Sequence, residues 1–196
     1  MLNIGLIIGS TRPNRFADVP ARWLLEAAAS RIDLKLETLD LRDQDLPLFA
    51  EPVSPFFTKG VYSNPAAEAW RHKIGRFDGF IATAAEYNHG PTAVLKNAFD
   101  SAYVEWRRKP IAFVGYGGVG GVRAIEHLRG VVIELQMVPV KSEVAITLEP
   151  FLGVLMQGKS LDDYEFLKHA RAALFDDLAW WGNALKTARE QTLAAA

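Results

Sequence analysis

Along this chain, compact runs of β-favouring apolar residues alternate with longer stretches whose apolar positions recur every three to four residues. Leu2-Asn3-Ile4-Gly5-Leu6-Ile7-Ile8 has the pattern of a buried strand and stops at Gly9-Ser10. Residues 17–30 then place Val19, Trp23, Leu24 and Ala27/Ala28 on one helical face, with Pro20 tolerated only in a first turn. Residues 32–37 alternate apolar and charged, the mark of a strand with one wet face and hence of a sheet edge. Helix 65–76 leads to strand 77–84, helix 92–104 to strand 110–115, and helix 118–135 to strand 137–146. Leu161, Tyr164, Leu167, Ala170, Leu174, Leu178, Trp181 and Leu185 then form an apolar stripe that predicts a helix over 161–188. With Trp181 on that stripe, Trp180 lies about 100° away near the surface, a candidate subunit contact. Residues 41–62 fit neither period. They are apolar, hold three prolines and four aromatics, and form either a functional loop or a cover packed on the core.

This βαβαβαβαβα order predicts an α/β fold, a five-stranded parallel sheet between two helical layers with right-handed crossovers. An edge-like second strand suits the order 2-1-3-4-5, which places ligands beyond the strand carboxyl ends where strands one and three diverge. Three loops meet there: 9–16, 86–91 and 115–121.

Composition narrows the field. The 196 residues are 49% hydrophobic and 23% charged, with no cysteine and a net charge of -1. A chain of this size closes a full core without disulfide staples, and a single domain over 1–196 is expected. The lack of cysteine excludes thiolate metal sites and cysteine nucleophiles. Near-neutral charge gives no drive toward nucleic acid, no apolar run is long enough for a membrane span, and MLNIGLIIGS is too short for a signal peptide. The expectation is a soluble, cytoplasmic protein. The four histidines lack ligand spacing, so no metal is expected.

The first loop, Gly9-Ser10-Thr11-Arg12-Pro13-Asn14-Arg15-Phe16, joins a strand to a helix amino end, where unpaired N–H groups and the helix dipole favour an anion. Its two hydroxyls and two guanidinium groups point to phosphate, while Asp18 competes unless it turns away. No Gly-Lys-Ser/Thr ending is present, which argues against a nucleoside-triphosphate loop. The second loop, Glu86-Tyr87-Asn88-His89-Gly90-Pro91, offers an aromatic and backbone amides to a flat ring, with Gly-Pro as turn punctuation. The third, Gly115-Tyr116-Gly117-Gly118-Val119-Gly120-Gly121, contains G-x-G-x-x-G, but in the fourth βα unit rather than the first. Glu134 and Glu143 both misfit the ribose-binding acid of a dinucleotide fold.

Taken in order, G-S-T-R-P-x-R, E-Y-N-H-G-P-x-x-x-L-K-N-A-x-D and G-Y-G-G-V-G-G-x-R-A resemble the NADPH-dependent FMN reductase family, the flavodoxin-like flavoproteins that include quinone, azo and chromate reductases. The similarity covers most of the chain and is weakest over 41–62 and the carboxyl-terminal tail. It implies a flavodoxin-like three-layer sandwich that binds FMN. Ser10, Arg12 and Arg15 would hold the phosphate, assisted by Thr11 and the Phe16 backbone. Glu86, Tyr87, Asn88 and His89 would line the isoalloxazine, and Tyr116, Gly117 and Gly118 its other side. Two departures stand out. Ala85 replaces a common proline, and Arg15 and Ala17 stand where some members carry serine and asparagine.

The resemblance further implies NADPH or NADH as co-substrate, a small electron acceptor (free flavin, quinone, azo compound or metal oxyanion), ping-pong turnover without a side-chain nucleophile, and a homodimer or homotetramer. Arg107-Arg108-Lys109 is a candidate contact for a nicotinamide cofactor's extra phosphate, weighed against a solvated basic turn. The rival readings are a flavodoxin-like electron carrier, a flavin-binding module without activity, and a flavin-free dehydrogenase.

Overall fold

In a computed structural model, residues 1–194 are described; the last two residues of the expected 1–196 domain lie outside them. The central sheet is built from β1 (Leu2–Ile8), β2 (Leu34–Asp40), β3 (Gly79–Tyr87) and β5 (Pro110–Tyr116), all parallel, in the order β2-β1-β3-β5. A fifth position beside β5 is shared by two short parallel strands, β6 (Val138–Pro139) and β7 (Val144–Ile146). A two-residue antiparallel strand, β4 (Gly90–Pro91), folds back on the end of β3. The expected parallel sheet and its 2-1-3-4-5 order therefore stand, with the fifth strand divided. Pro139 cannot donate to a ladder, and Arg129 holds the intervening carbonyls of Val140 and Lys141.

Apolar residues of β1, β3 and β5 fill both faces. One layer packs α1 (Asp18–Ala28) and α7 (Glu165–Ala194) against Leu2, Ile4, Leu6, Ile81, Ala112 and Val114. The other packs α3 (Pro65–Gly75), α4 (Ala93–Asp100) and α5 (Val122–Glu134) against Ile7, Phe80, Ala82, Ile111 and Phe113. Strand residues buried on both faces are what a central parallel sheet requires. The second strand pairs only with β1 and alternates buried and wetter positions, as its sequence predicted, but it starts later than expected: Ile32 is exposed, and pairing runs from Leu34 to Asp40.

The helix expected over 161–188 starts and ends later, as α7, and an additional helix that the pattern did not mark precedes it. Leu148–Gln157 forms α6, which ends at Gly158 in a left-handed conformation (φ 65°). Ser160 then caps a tight turn over Leu161–Asp163 before α7 begins. The face α7 turns to β1 includes Gly182, where a Cβ would stand 2.5 Å from Leu2 Cδ1. That close approach rotates both neighbouring tryptophans outward. Trp181 is 36% exposed and Trp180 65%, contrary to the expected core position of Trp181, and their rings meet edge to face at 5.0 Å.

Residues 41–62 follow β2 as a turn at Leu41–Asp43, an extended stretch and one short helix, α2 (Pro55–Thr58). Asn97 of α4 fastens the extended part, accepting the Phe49 amide and donating to the Pro47 carbonyl, both at 2.8 Å. Leu48, Phe56, Phe57 and Val61 remain exposed.

Candidate functional site

The cleft lies where topology placed it, at the carboxyl ends of β1, β3 and β5, and encloses about 320 Å³. Of the expected residues, Ser10, Arg12, Arg15, Phe16, Glu86, Tyr87, Tyr116 and Gly117 line it. Thr11, Asn88, His89 and Gly118 lie outside its lining and are exposed.

The phosphate-type loop begins at Gly9, which is pinned twice. Its amide donates to Thr83 Oγ1 at 3.0 Å, and its carbonyl accepts Thr92 Oγ1 at 2.5 Å. A Cβ there would meet the Thr83 carbonyl oxygen at 2.2 Å, so only glycine fits. The loop's far end is held by Arg15, whose side chain is 3% exposed. Its Nε donates to Asp18 (2.8 Å), Nη1 to the Ser10 carbonyl (2.6 Å) and Asp40 (2.7 Å), and Nη2 reaches Asp40 and Asp18. All five donors of the guanidinium are thus engaged. The hydrogen bond to Asp40 outweighs burial and raises the Arg15 pKa further, while Asp40 is held below the usual carboxylate range, burial opposing and Arg15 and the Arg42 amide prevailing. Asp18 is turned into this network, and Arg42 donates to the Arg12 carbonyl.

Arg12 differs. Its guanidinium has no acidic partner among the described residues and lies 5.7 Å from the centre of the Tyr87 ring. The Tyr87 and Ser10 hydroxyls share a hydrogen bond at 3.0 Å. Tyr116 reaches the same place from β5, packed on Phe16 with ring centres 5.3 Å apart. Its hydroxyl is buried without a partner among the described residues.

At the other end, the turn after β3 is a two-residue hairpin centred on Asn88 (φ 50°) and His89 (φ 74°), not on the Gly-Pro that marked it in sequence. Glu86 ties this hairpin to α5, accepting Arg123 Nε at 2.6 Å. The glycine loop divides its labour. Gly115 and Gly121 are close-packed, a Cβ on the first meeting the Gly120 carbonyl at 2.3 Å, while at Gly117 and Gly118 the backbone is open.

Phe151 and Leu155 of α6 complete the lining, with Phe151 packing on Phe16 at 4.6 Å. No element was expected between strand 137–146 and helix 161–188, so Phe151 and Leu155 of α6 were not foreseen. Asp40, Thr83 and Thr92 were also unforeseen; the one available signal was their position at the strand ends and helix starts that face the switch point. Arg107, Arg108 and Lys109 precede β5 and so lie at the opposite end of the sheet, roughly 20 Å away along a seven-residue strand. The candidate contact with a nicotinamide phosphate at this cleft is therefore excluded within one chain, and Lys109 is buried rather than part of a solvated turn.

These features suit FMN. Unspent donors gather at one end beside a helix amino terminus, apolar rings form the wall, and an open glycine backbone leaves room for a flat body. Parallel sheet, strand order and switch-point cleft together define a flavodoxin-like α/β fold.

A family model described as NADPH-dependent FMN reductase matches residues 2–150. An NAD(P)H-dependent FMN reductase of Schizosaccharomyces pombe is 35% identical over 164 residues, 84% of this chain and 81% of that protein. An NADPH:quinone oxidoreductase of Arabidopsis thaliana is 31% identical over 145 residues, 70% and 71% of the two chains. The solved structure of the flavoenzyme NAD(P)H:(acceptor) oxidoreductase FerB from Paracoccus denitrificans shares the fold, with a TM-score of 0.73 at 19% identity, covering 94% of this chain and 98% of that one. The chain belongs to the NADPH-dependent FMN reductase family: it is an oxidoreductase with FMN as cofactor and NAD(P)H as co-substrate. No described helix is long and apolar enough to cross a membrane.

Proposed function

We propose that this chain, as one domain, takes hydride from NADPH or NADH and delivers the electrons to a small acceptor such as free flavin, a quinone, an azo compound or a metal oxyanion, the two substrates using one open face in turn. The observation that carries the reading is the pairing of an anion-ready loop, with Arg12 unengaged, and an open glycine backbone across one cleft. When bound, FMN supplies the hydride-accepting ring. The protein's part is to grip and orient it. Ser10 and Arg12 hold the tail, and Arg15 keeps their loop in shape. Phe16 and Phe151 wall the cleft. The Glu86–Arg123 pair sets the hairpin Tyr87–His89 against the Gly117-Gly118 edge. No side chain is assigned as nucleophile or as general acid.

The exposed Trp180-Trp181 pair and the apolar residues of 41–62 are proposed as contacts in a homodimer or homotetramer. The electron-carrier alternative is disfavoured by near-neutral charge, since carriers of this fold dock through strongly acidic surfaces. An absorption spectrum of the purified protein with FMN, before and after anaerobic NADPH, tests the reading. Bleaching of the flavin band, with reoxidation by a quinone, is expected. A flavin band that NADPH leaves unchanged overturns it in favour of a carrier.

A further inference from the structure

Two side-chain oxygens of the cleft wall are buried without a hydrogen-bond partner among the described residues, Glu86 Oε2 and the Tyr116 hydroxyl, and the hydroxyl is the one that can donate. Tyr116 is 6% exposed, its ring is fixed by Phe16, and its hydroxyl has no hydrogen-bond partner among the described residues. Leaving such a group unsatisfied is costly, and a bound acceptor would recover that cost. The position of the hydroxyl identifies that acceptor. Burial raises the Tyr116 pKa, and neighbouring Tyr87 raises it further. The Ser10 hydroxyl and the Arg15 guanidinium lie close enough to pull the other way. The Tyr116 ring packs on Phe16 of the first loop, 5.3 Å between ring centres, in the cleft wall it shares with Ser10 and Arg12, so its hydroxyl belongs to the first-loop side of the cleft. It stays protonated at any physiological pH, so it is a donor in search of an anion.

The neighbouring cation does not fill that role. Arg15 is neutralised by Asp40 and Asp18 and has every donor engaged, which leaves Arg12 and the hydroxyls to contact an anionic tail. We propose that the Tyr116 hydroxyl donates to the phosphate of the bound mononucleotide, making Tyr116 a ligand of the tail rather than a wall of the ring slot. The assignment rests on the reading of this cleft as the FMN site. It makes the end of β5, and not only the loop after β1, a reader of the phosphate.

Tyr116→Phe removes the unpartnered hydroxyl and keeps the ring on Phe16, so the fold is expected to survive. Dissociation constants for FMN and riboflavin, from quenching of flavin fluorescence by the full chain, are the readout. The variant should bind FMN about tenfold more weakly, as expected for a hydrogen bond to a charged group. Riboflavin binding should change less than about twofold, and the phosphorus resonance of bound FMN should shift. Unchanged FMN affinity, or equal losses for both flavins, overturns the assignment and returns Tyr116 to the ring wall. Wild-type protein that binds neither flavin overturns the underlying reading of the cleft together with it.

Discussion

The two ends of the sheet are both rich in arginine, lysine and aspartate, yet only one sets its unpaired donors beside a helix amino terminus; at the other, the Arg108 guanidinium, without a partner among the described residues, is exposed. Where the strands begin, Asp78 accepts the Asn3 amide at 3.0 Å and Lys186 at 3.1 Å, with Arg189 3.5 Å away. Lys109 donates to the carbonyls of Ile74 and Gly75, both at 3.1 Å, and so caps the carboxyl end of α3. Where the strands end, Arg15 is equally saturated, but Arg12 and the Tyr116 hydroxyl are not. Charge density therefore does not mark the site. Donors left unspent beside a helix amino terminus do, because that is where a bound anion can meet them.

Substitutions at the two loop arginines should separate these roles most strongly. Arg15→Ala leaves Asp40 and Asp18 without their partner and should destabilise the fold by about 3 kcal/mol. In urea unfolding Arg12→Ala should change stability by less than about 0.5 kcal/mol. For FMN affinity the order reverses: Arg12→Ala should weaken FMN by about 2 kcal/mol and leave riboflavin unaffected. An Arg12→Ala variant that unfolds early, or an Arg15→Ala variant of native stability, would erase the contrast.

Lys109 sharpens the comparison through pH. Burial lowers its pKa from the usual 10.5 to about 8, with Arg189 contributing. The folded protein therefore loses this proton before the unfolded chain does. Between about pH 8 and 10.5 the unfolded state holds more protons, so stability should rise with pH through that window. Relative to Lys109→Met, the gain should approach 3 kcal/mol, at 1.36 kcal/mol per pH unit. Parallel stability curves for the two proteins from pH 8 to 10.5 would mean that the carbonyl contacts hold the charge comfortably. Trp180→Ala should have the smallest effect on the chain itself, within about 0.5 kcal/mol. Sedimentation should nonetheless show a smaller oligomer. An unchanged sedimentation coefficient removes Trp180 from any subunit interface.

Much of the fold was legible because burial on both faces gives β1, β3 and β5 continuous apolar runs, and burial on one face gives β2 its alternation. The boundaries that failed are those set by partners distant in sequence. The last helix appeared continuous from 161 because Leu161 and Tyr164 are apolar and buried, although they belong to a capped turn. Trp181 was placed inward because periodicity cannot see that Gly182 brings α7 against Leu2.

By itself, the sequence determined the order of elements, the switch-point location of the cleft and the three loops that form it, since these follow from periodicity, glycine placement and chain connectivity. Only the tertiary structure decided which donors remain free. Arg12 and Arg15 are equivalent in the loop until Asp40, from the end of β2, engages one of them. Tyr116 lies beside the glycines in sequence, yet β5 directs its ring onto Phe16 of the first loop. Asp18 and the Ser10 carbonyl lie within five positions of Arg15, but its saturation is completed by Asp40, 25 positions away, and no local pattern encodes that partner.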